Sequence, residues 1–266
     1  MKKIDYTVLD PTGNITILVE TAVPAQSQPF CAFELMQKVR SAEQVGFVAD
    51  PPEGTPYDFA LRMAGGEFCG NATMSAAVLW CARRSIKRRT VLVRVSGAEQ
   101  PVPVTVAQLP DGGWEGAVEM PRPLAIEMVS LKLDNEVFRL PLVRFAGISH
   151  LIATQPMERE LAERAVRRWC MQLGADCLGL MLLDMQKATL TPLVYVPAAE
   201  TLVWESSCAS GTAAAGAYLA AATQGEVFTN FLEPGGILGV SVQPDGRIIL
   251  SGTVKILQRT RGGVKP

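Results

Sequence analysis

One histidine, His150, is all the imidazole in a chain of 266 residues. A histidine-rich metal site, or an acid/base pair made of two histidines, is therefore excluded by count. Charge of one sign is also lacking: 25 Lys and Arg against 26 Asp and Glu leave a formal net charge of −1. No global basic field draws in nucleic acid or anionic lipid, so neither is expected as a partner. No apolar run approaches the roughly 18–20 residues needed to span a bilayer, so no membrane partner is expected either. The segment from Met1 to Tyr6 passes into an alternating, strand-like run without the apolar core and cleavage site of a signal peptide. The expected location is cytoplasmic, where thiols stay reduced and available for chemistry.

What is present is a globular composition, 48% hydrophobic and 19% charged. At roughly 100–200 residues per domain, the length fits one large domain or two small ones. The six cysteines lie at 31, 69, 81, 170, 177 and 208. Cys170 and Cys177 are too far apart for a Cys-x-x-Cys knuckle and no other close pair supplies a second half-site, so no metal is expected.

The chain reads as extended pieces over Thr7–Glu20, split by the turn cluster Asp10-Pro11-Thr12-Gly13-Asn14. A helix is expected over 32–42, and a buried helix of small residues over Asn71–Ala82. Strands are expected at Thr90–Val95, Pro103–Ala107 and Trp114–Met120. Pro121-Arg122-Pro123 then marks a boundary, giving halves at 1–123 and 124–266, with the last strand a candidate to cross back to the first half. The second half repeats the order. A strand over Val143–Leu151, broken at Ala146-Gly147, precedes an amphipathic helix over Met157–Leu173. Strands at Leu178–Leu183 and Pro192–Val196 follow, then a small-residue helix over Thr212–Ala222 and strands at Val240–Val242 and Ile248–Leu250. Phe68-Cys69-Gly70-Asn71-Ala72-Thr73 aligns with Ser207-Cys208-Ala209-Ser210-Gly211-Thr212, and the 11–15 turn aligns loosely with 145–150. The two offsets, about 139 and 136 residues, point to an internal duplication.

A cysteine at the start of a predicted helix thus occurs twice in matched context. Unpaired N–H groups and the partial positive charge of a helix N-terminus bind an anion and acidify a nearby thiol. Two such termini suit inversion at an amino-acid α-carbon, one thiolate removing a proton from one face while the other thiol delivers one to the opposite face. Cys31, Cys81, Cys170 and Cys177 lack this context and read as small buried hydrophobes.

At these residues the sequence resembles the diaminopimelate epimerase-like, cofactor-independent amino-acid racemases and epimerases. The likeness rests on Glu67 to Thr73 and on Cys208-Ala209-Ser210-Gly211-Thr212. Gly13 to Val19, Glu43 to Phe47, Gly66 to Ser75, Trp204 to Cys208 and Pro234-Gly235-Gly236 are most similar to the histidine racemases of staphylopine-type metallophore biosynthesis. The resemblance implies an α+β fold of two pseudo-symmetric halves, each with a central helix wrapped by a mostly antiparallel sheet, and an active site at their interface. It implies a racemase needing neither pyridoxal phosphate nor metal, acting on a small-molecule amino-acid substrate, with a homodimer left open.

Carried over residue by residue, Cys69 and Cys208 match the catalytic thiols. The backbone around Gly70, Asn71, Ser210 and Gly211 matches a carboxylate cradle, and Asn14 and Gln44 match polar residues lining the site. His150 stands where the family has a histidine near the thiols, as an orienting or proton-balancing group. Glu205 is a candidate to hold the substrate ammonium or to influence the thiol. The distal carboxylate clamp of diaminopimelate epimerase is missing. Ile148 stands two before His150, and Ser206-Ser207 precede Cys208 where a Glu-Arg-Gly segment would be. An unpaired buried carboxylate costs several kcal/mol, about 3–5 for a broken pair, which disfavours diaminopimelate. The expected reaction is L-histidine to D-histidine for an opine-type metallophore. The rivals are epimerisation of diaminopimelate or another amino acid, a non-catalytic amino-acid-binding protein on the same fold, and a zinc protein using the cysteines as ligands.

Overall fold

A computed structural model describes residues 2–264. The chain divides into two compact units: the residues up to Glu119 together with those from Ser251 onward, and Met120–Leu250. Residues 120–123 thus lie with the second unit, and the chain beyond Leu250 lies with the first.

In the first unit the order is β1 (Lys2–Pro11), β2 (Thr16–Val19), α1 (Gln28–Lys38), β3 (Gln44–Ala49), β4 (Phe59–Met63), α2 (Gly70–Arg83), β5 (Arg88–Val95), β6 (Val102–Gln108) and β7 (Trp114–Met120). In the second it is β8 (Ala125–Leu133), β9 (Glu136–Phe145), β10 (Ile148–Ala153), α3 (Arg159–Leu173), β11 (Leu178–Asp184), β12 (Thr189–Val196), β13 (Thr201–Trp204), α4 (Ala209–Thr223), β14 (Val227–Glu233) and β15 (Gly236–Val242). The last strand, β16 (Ile248–Val264), begins in the second unit and continues into the first, where it pairs antiparallel with β1.

Each unit runs through the same connections. β1 and β2 form an antiparallel pair, α1 crosses over to β3 parallel to β2, β3 pairs antiparallel with β4, and α2 crosses over to β5 parallel to β4. In the second unit β9 and β10 are antiparallel, α3 leads to β11 parallel to β10, β11 pairs antiparallel with β12, and α4 leads to β14, parallel to β12. The sheet within each unit is therefore mixed. A parallel pair requires a crossover, and each crossover here is a helix.

Sixteen strands and four α-helices among the described residues make the chain strand-rich. Each unit carries two helices rather than one. α3 is amphipathic, burying Ala162, Ala165, Val166, Trp169 and Cys170 at helical spacing against β8, β11 and β12. It ends at Gly174, whose φ of 58° gives the left-handed cap. α1 buries Cys31, Ala32 and Leu35 over Val45 and Phe47 of β3. It starts four residues before the expected position and ends before the expected residue 42, because Pro29 is tolerated in a first helical turn and Val39 leaves helical geometry.

The other two helices are buried almost all round. α2 hides every residue from Gly70 to Leu79 and touches β1, β2, β3, β5 and β6. α4 hides Ala209 and the run from Gly211 to Ala217, touching strands from β8 to β15. Small side chains make this close approach feasible: a Cβ at Gly216 would meet Val240 Cγ2 at 2.6 Å. Among the described residues no helix is long and apolar enough to cross a membrane.

Candidate active site

In the first unit, Cys69 is the N-cap of α2 and its Sγ accepts from the Ala72 N–H at 3.5 Å. The Thr73 hydroxyl donates to the Cys69 carbonyl at 2.6 Å. Gly70 and Asn71 form the first turn behind it, both buried. The Cys69 thiol donates to Gln44 Oε1 at 2.7 Å. The Gln44 amide is oriented by its other end, which donates to Asn14 Oδ1 and, at 2.8 Å, to Thr16 Oγ1. Gln44 and Thr16 are register partners across the parallel β2–β3 pair, so sheet geometry aims the amide at the thiol. Asn14, in the β1–β2 turn, in turn donates to Glu43 Oε2 at 2.7 Å. Cys69, Gly70, Asn71, Asn14 and Gln44 are thus brought together, and Thr16 and Glu43 join a network that sequence reading did not include.

In the second unit Cys208 is the N-cap of α4 and only 5% exposed. Its Sγ lies 3.6 Å from Ser210 Oγ, which lies 2.9 Å from His150 Nε2. Gly211 sits in the same turn, where an added Cβ would overlap Met181 Sδ and lie 3.2 Å from Cys208 Sγ. Burial pushes the Cys208 thiol well above its ordinary value, with the charge of Glu205 and its hydrogen bond to the thiol adding in the same direction. The Ser210 hydroxyl opposes them. Cys208 therefore rests as the thiol at neutral pH. Cys177, outside the expected set, is likewise pushed up to about 12 by burial and then by Glu205.

His150 is fully buried in β10, and burial lowers its pKa to about 3. The imidazole is neutral at physiological pH, and in this form its Nε2 pairs with Ser210 Oγ. Nδ1 has no hydrogen-bond partner. A neutral ring carries one N–H, and leaving a lone pair unpaired costs less than burying an unpaired proton, which assigns the N–H to Nε2. Nε2–H then donates to Ser210 Oγ and frees the serine hydroxyl to point at Cys208 Sγ. The ring packs on Gly179, where an added Cβ would overlap Nδ1 and lie 2.8 Å from Cε1. Gly179→Ala is expected to cost about 1–3 kcal/mol through overpacking, read as a lowered urea midpoint; an unchanged midpoint would show that the ring has room to move.

Glu233 and Thr212 complete the surroundings of Cys208. The Cys208 N–H donates to Glu233 Oε2 at 2.8 Å, and Thr212 bridges the Cys208 carbonyl and Glu233 Oε1. Only the helix-start motif, with threonine four residues after each cysteine, could have signalled Thr212; no local pattern marks Glu233. None of the six cysteines is in a disulfide, and among the described residues no group of three His, Cys, Asp or Glu side chains is placed to hold a metal ion.

Residues 3–260 match the model of the histidine racemase CntK N-terminal domain. A histidine racemase from Staphylococcus aureus is 30% identical over 254 residues, 93% of this chain and 88% of that protein. One from Fusobacterium nucleatum is 32% identical over 227 residues, 81% of each. Among solved structures, a probable proline racemase from Agrobacterium radiobacter superposes with a TM-score of 0.73 at 12% identity, covering 99% of this chain and 94% of that one, which shows a shared fold. The chain belongs to the histidine racemase family and is an isomerase, an amino-acid racemase acting on a small-molecule substrate.

Proposed function

We propose that this racemase inverts the α-carbon of histidine with Cys69 and Cys208 as a thiolate/thiol pair. One sulfur removes the α-proton from one face and the other delivers a proton to the opposite face. The observation carrying this reading is a repeated placement. Each cysteine is the N-cap of its unit's buried helix, and each is followed at the fourth position by a threonine bonded to the cysteine carbonyl. Such a terminus supplies unpaired N–H groups and partial positive charge, which stabilise a carboxylate and the carbanion-like charge that develops beside it.

In this reading the N–H groups around Gly70–Asn71 and Ser210–Gly211 hold the α-carboxylate, while Asn14 and Gln44 orient Cys69. Glu205 receives the substrate ammonium, and His150 orients Cys208 through Ser210. Proton transfer between sulfurs requires neither pyridoxal phosphate nor metal. The diaminopimelate epimerase-like arrangement, a helix wrapped by sheet in each half, is the architecture this mechanism uses. Histidine is favoured because the relatives in S. aureus and F. nucleatum are histidine racemases. The enzyme is placed in the cytoplasm, where its thiols stay reduced, and its D-histidine goes to an opine-type metallophore.

Incubation in D2O with L-histidine, other amino acids and diaminopimelate tests the assignment. The expected result is deuterium at the α-carbon of histidine together with loss of optical activity. Exchange with diaminopimelate but not histidine would overturn the substrate, and ligand binding without exchange of any amino acid would overturn catalysis.

A further inference from the structure

Glu233 ends β14 against the first turn of α4 and is 3% exposed. Its Oε2 accepts the Cys208 N–H at 2.8 Å, and its Oε1 makes a short contact with Thr212 Oγ1. The same Thr212 oxygen lies 2.8 Å from the Cys208 carbonyl. A hydroxyl has one proton to give, and here two acceptors face it. The equivalent residue of α2, Thr73, sends its proton to the carbonyl of Cys69. If Thr212 does the same, the remaining oxygen–oxygen contact holds together only with a proton supplied by Glu233.

We propose that Glu233 is a positioning residue kept as the neutral acid, donating to Thr212 and accepting from the Cys208 N–H, so that the reacting thiol is anchored without an added negative charge beside it. The proposal rests on the two-thiol reading for its catalytic consequence, though not for the protonation of Glu233 itself.

The surroundings agree with a neutral carboxyl. Burial pushes Glu233 up to about 8, the charge of Glu205 adds to the rise, and the hydrogen bond from the Cys208 N–H opposes it. The groups facing it are Thr212 and Cys208 of α4 and Glu205 of the segment between β13 and α4. No cation forms an ion pair with it among the described residues. Were it ionised, its charge would oppose formation of the Cys208 thiolate. Rising pH therefore has two opposed effects on this turn: it favours thiolate directly, and above about pH 8 it creates a carboxylate that disfavours it.

Glutamine is the discriminating replacement, since its amide donates to Thr212 and accepts from the Cys208 N–H at every pH without charge. Glu233→Ala is expected to lower kcat by about 10–100-fold through loss of positioning, and Glu233→Gln to restore most of that loss. Infrared spectra of the wild type at pH 6 should contain a protonated-carboxyl band that Glu233→Gln lacks and Glu233→Asp shifts. A folded Glu233→Gln as impaired as Glu233→Ala, or absence of the band, would each overturn the proposal. If Glu233→Gln fails to fold, loss of the wild-type band between pH 6 and pH 10 decides the matter. A wild type that exchanges no α-proton yet shows the band would sink the two-thiol reading and leave the neutral Glu233 standing.

Discussion

Cys69→Ser and Cys208→Ser are each expected to reduce histidine racemisation by about 10²–10⁴-fold, the range associated with a positioned acid or base. A hydroxyl replaces a thiol at nearly the same size, so the helix caps survive: the Cys208 N–H remains bonded to Glu233, and Thr73 and Thr212 keep their carbonyl acceptors. What is lost is acidity, since an alcohol ionises far less readily than a thiol. The two variants should nevertheless differ. With one sulfur gone, the remaining one still reaches its own face of the α-carbon and can exchange that proton with solvent without inversion. Each variant is therefore expected to wash deuterium into only one enantiomer of histidine, and the two variants into opposite enantiomers. Proton NMR in D2O with L- and D-histidine measures this directly. If one variant lost exchange with both enantiomers and the other lost nothing, a single base would be doing all the chemistry and the paired-thiol mechanism would be wrong.

The second large effect is on stability, and it belongs to His150. Its folded pKa of about 3 lies below the 6.5 of an exposed histidine. The unfolded chain therefore binds a proton more readily over that window. The stability contribution of the neutral ring is whole above pH 6.5 and is lost as pH falls toward 3, by about 5 kcal/mol at 1.36 kcal/mol per unit. Glu233 works in the opposite sense. Its folded value of about 8 lies above 4.5, so its contribution is whole below pH 4.5 and is lost as pH rises through 8. Between pH 4.5 and 6.5 the two slopes largely cancel, and each emerges when the other is removed. Urea unfolding of His150→Gln should show a flatter acid limb than the wild type, whereas the limb of Glu233→Gln should be steeper from pH 6.5 to 4.5. An acid limb identical in the wild type and His150→Gln would mean that some other group carries it.

The cysteine pair was legible because its signal is local. Each cysteine directly precedes a helix of small residues, and those small residues allow α2 and α4 to be buried on nearly every side. α3 was equally readable from its apolar spacing, with Gly174 closing it. Several strands were not. Gln44–Ala49 contains glycine and glutamine and lacks a clean alternation, Phe59–Met63 alternates but is only five residues long, and they become β3 and β4 because neighbouring strands complete their hydrogen bonds. β16 reads as a short strand ending at Leu250, yet it runs to Val264 because β1 supplies a partner from Val254 to Val264.

The sequence by itself determined the two helix-capping cysteines, the repeated order of elements, and the single imidazole. It could not determine the partners of those groups, because hydrogen bonds in the site join residues far apart in the chain. Tertiary structure alone placed Gln44 on the Cys69 thiol, His150 on Ser210, and Glu233 under the Cys208 N–H. It also bears on their protonation, since burial removes the water that would solvate a charge, lowering the pKa of His150 to about 3 and raising that of Glu233 to about 8.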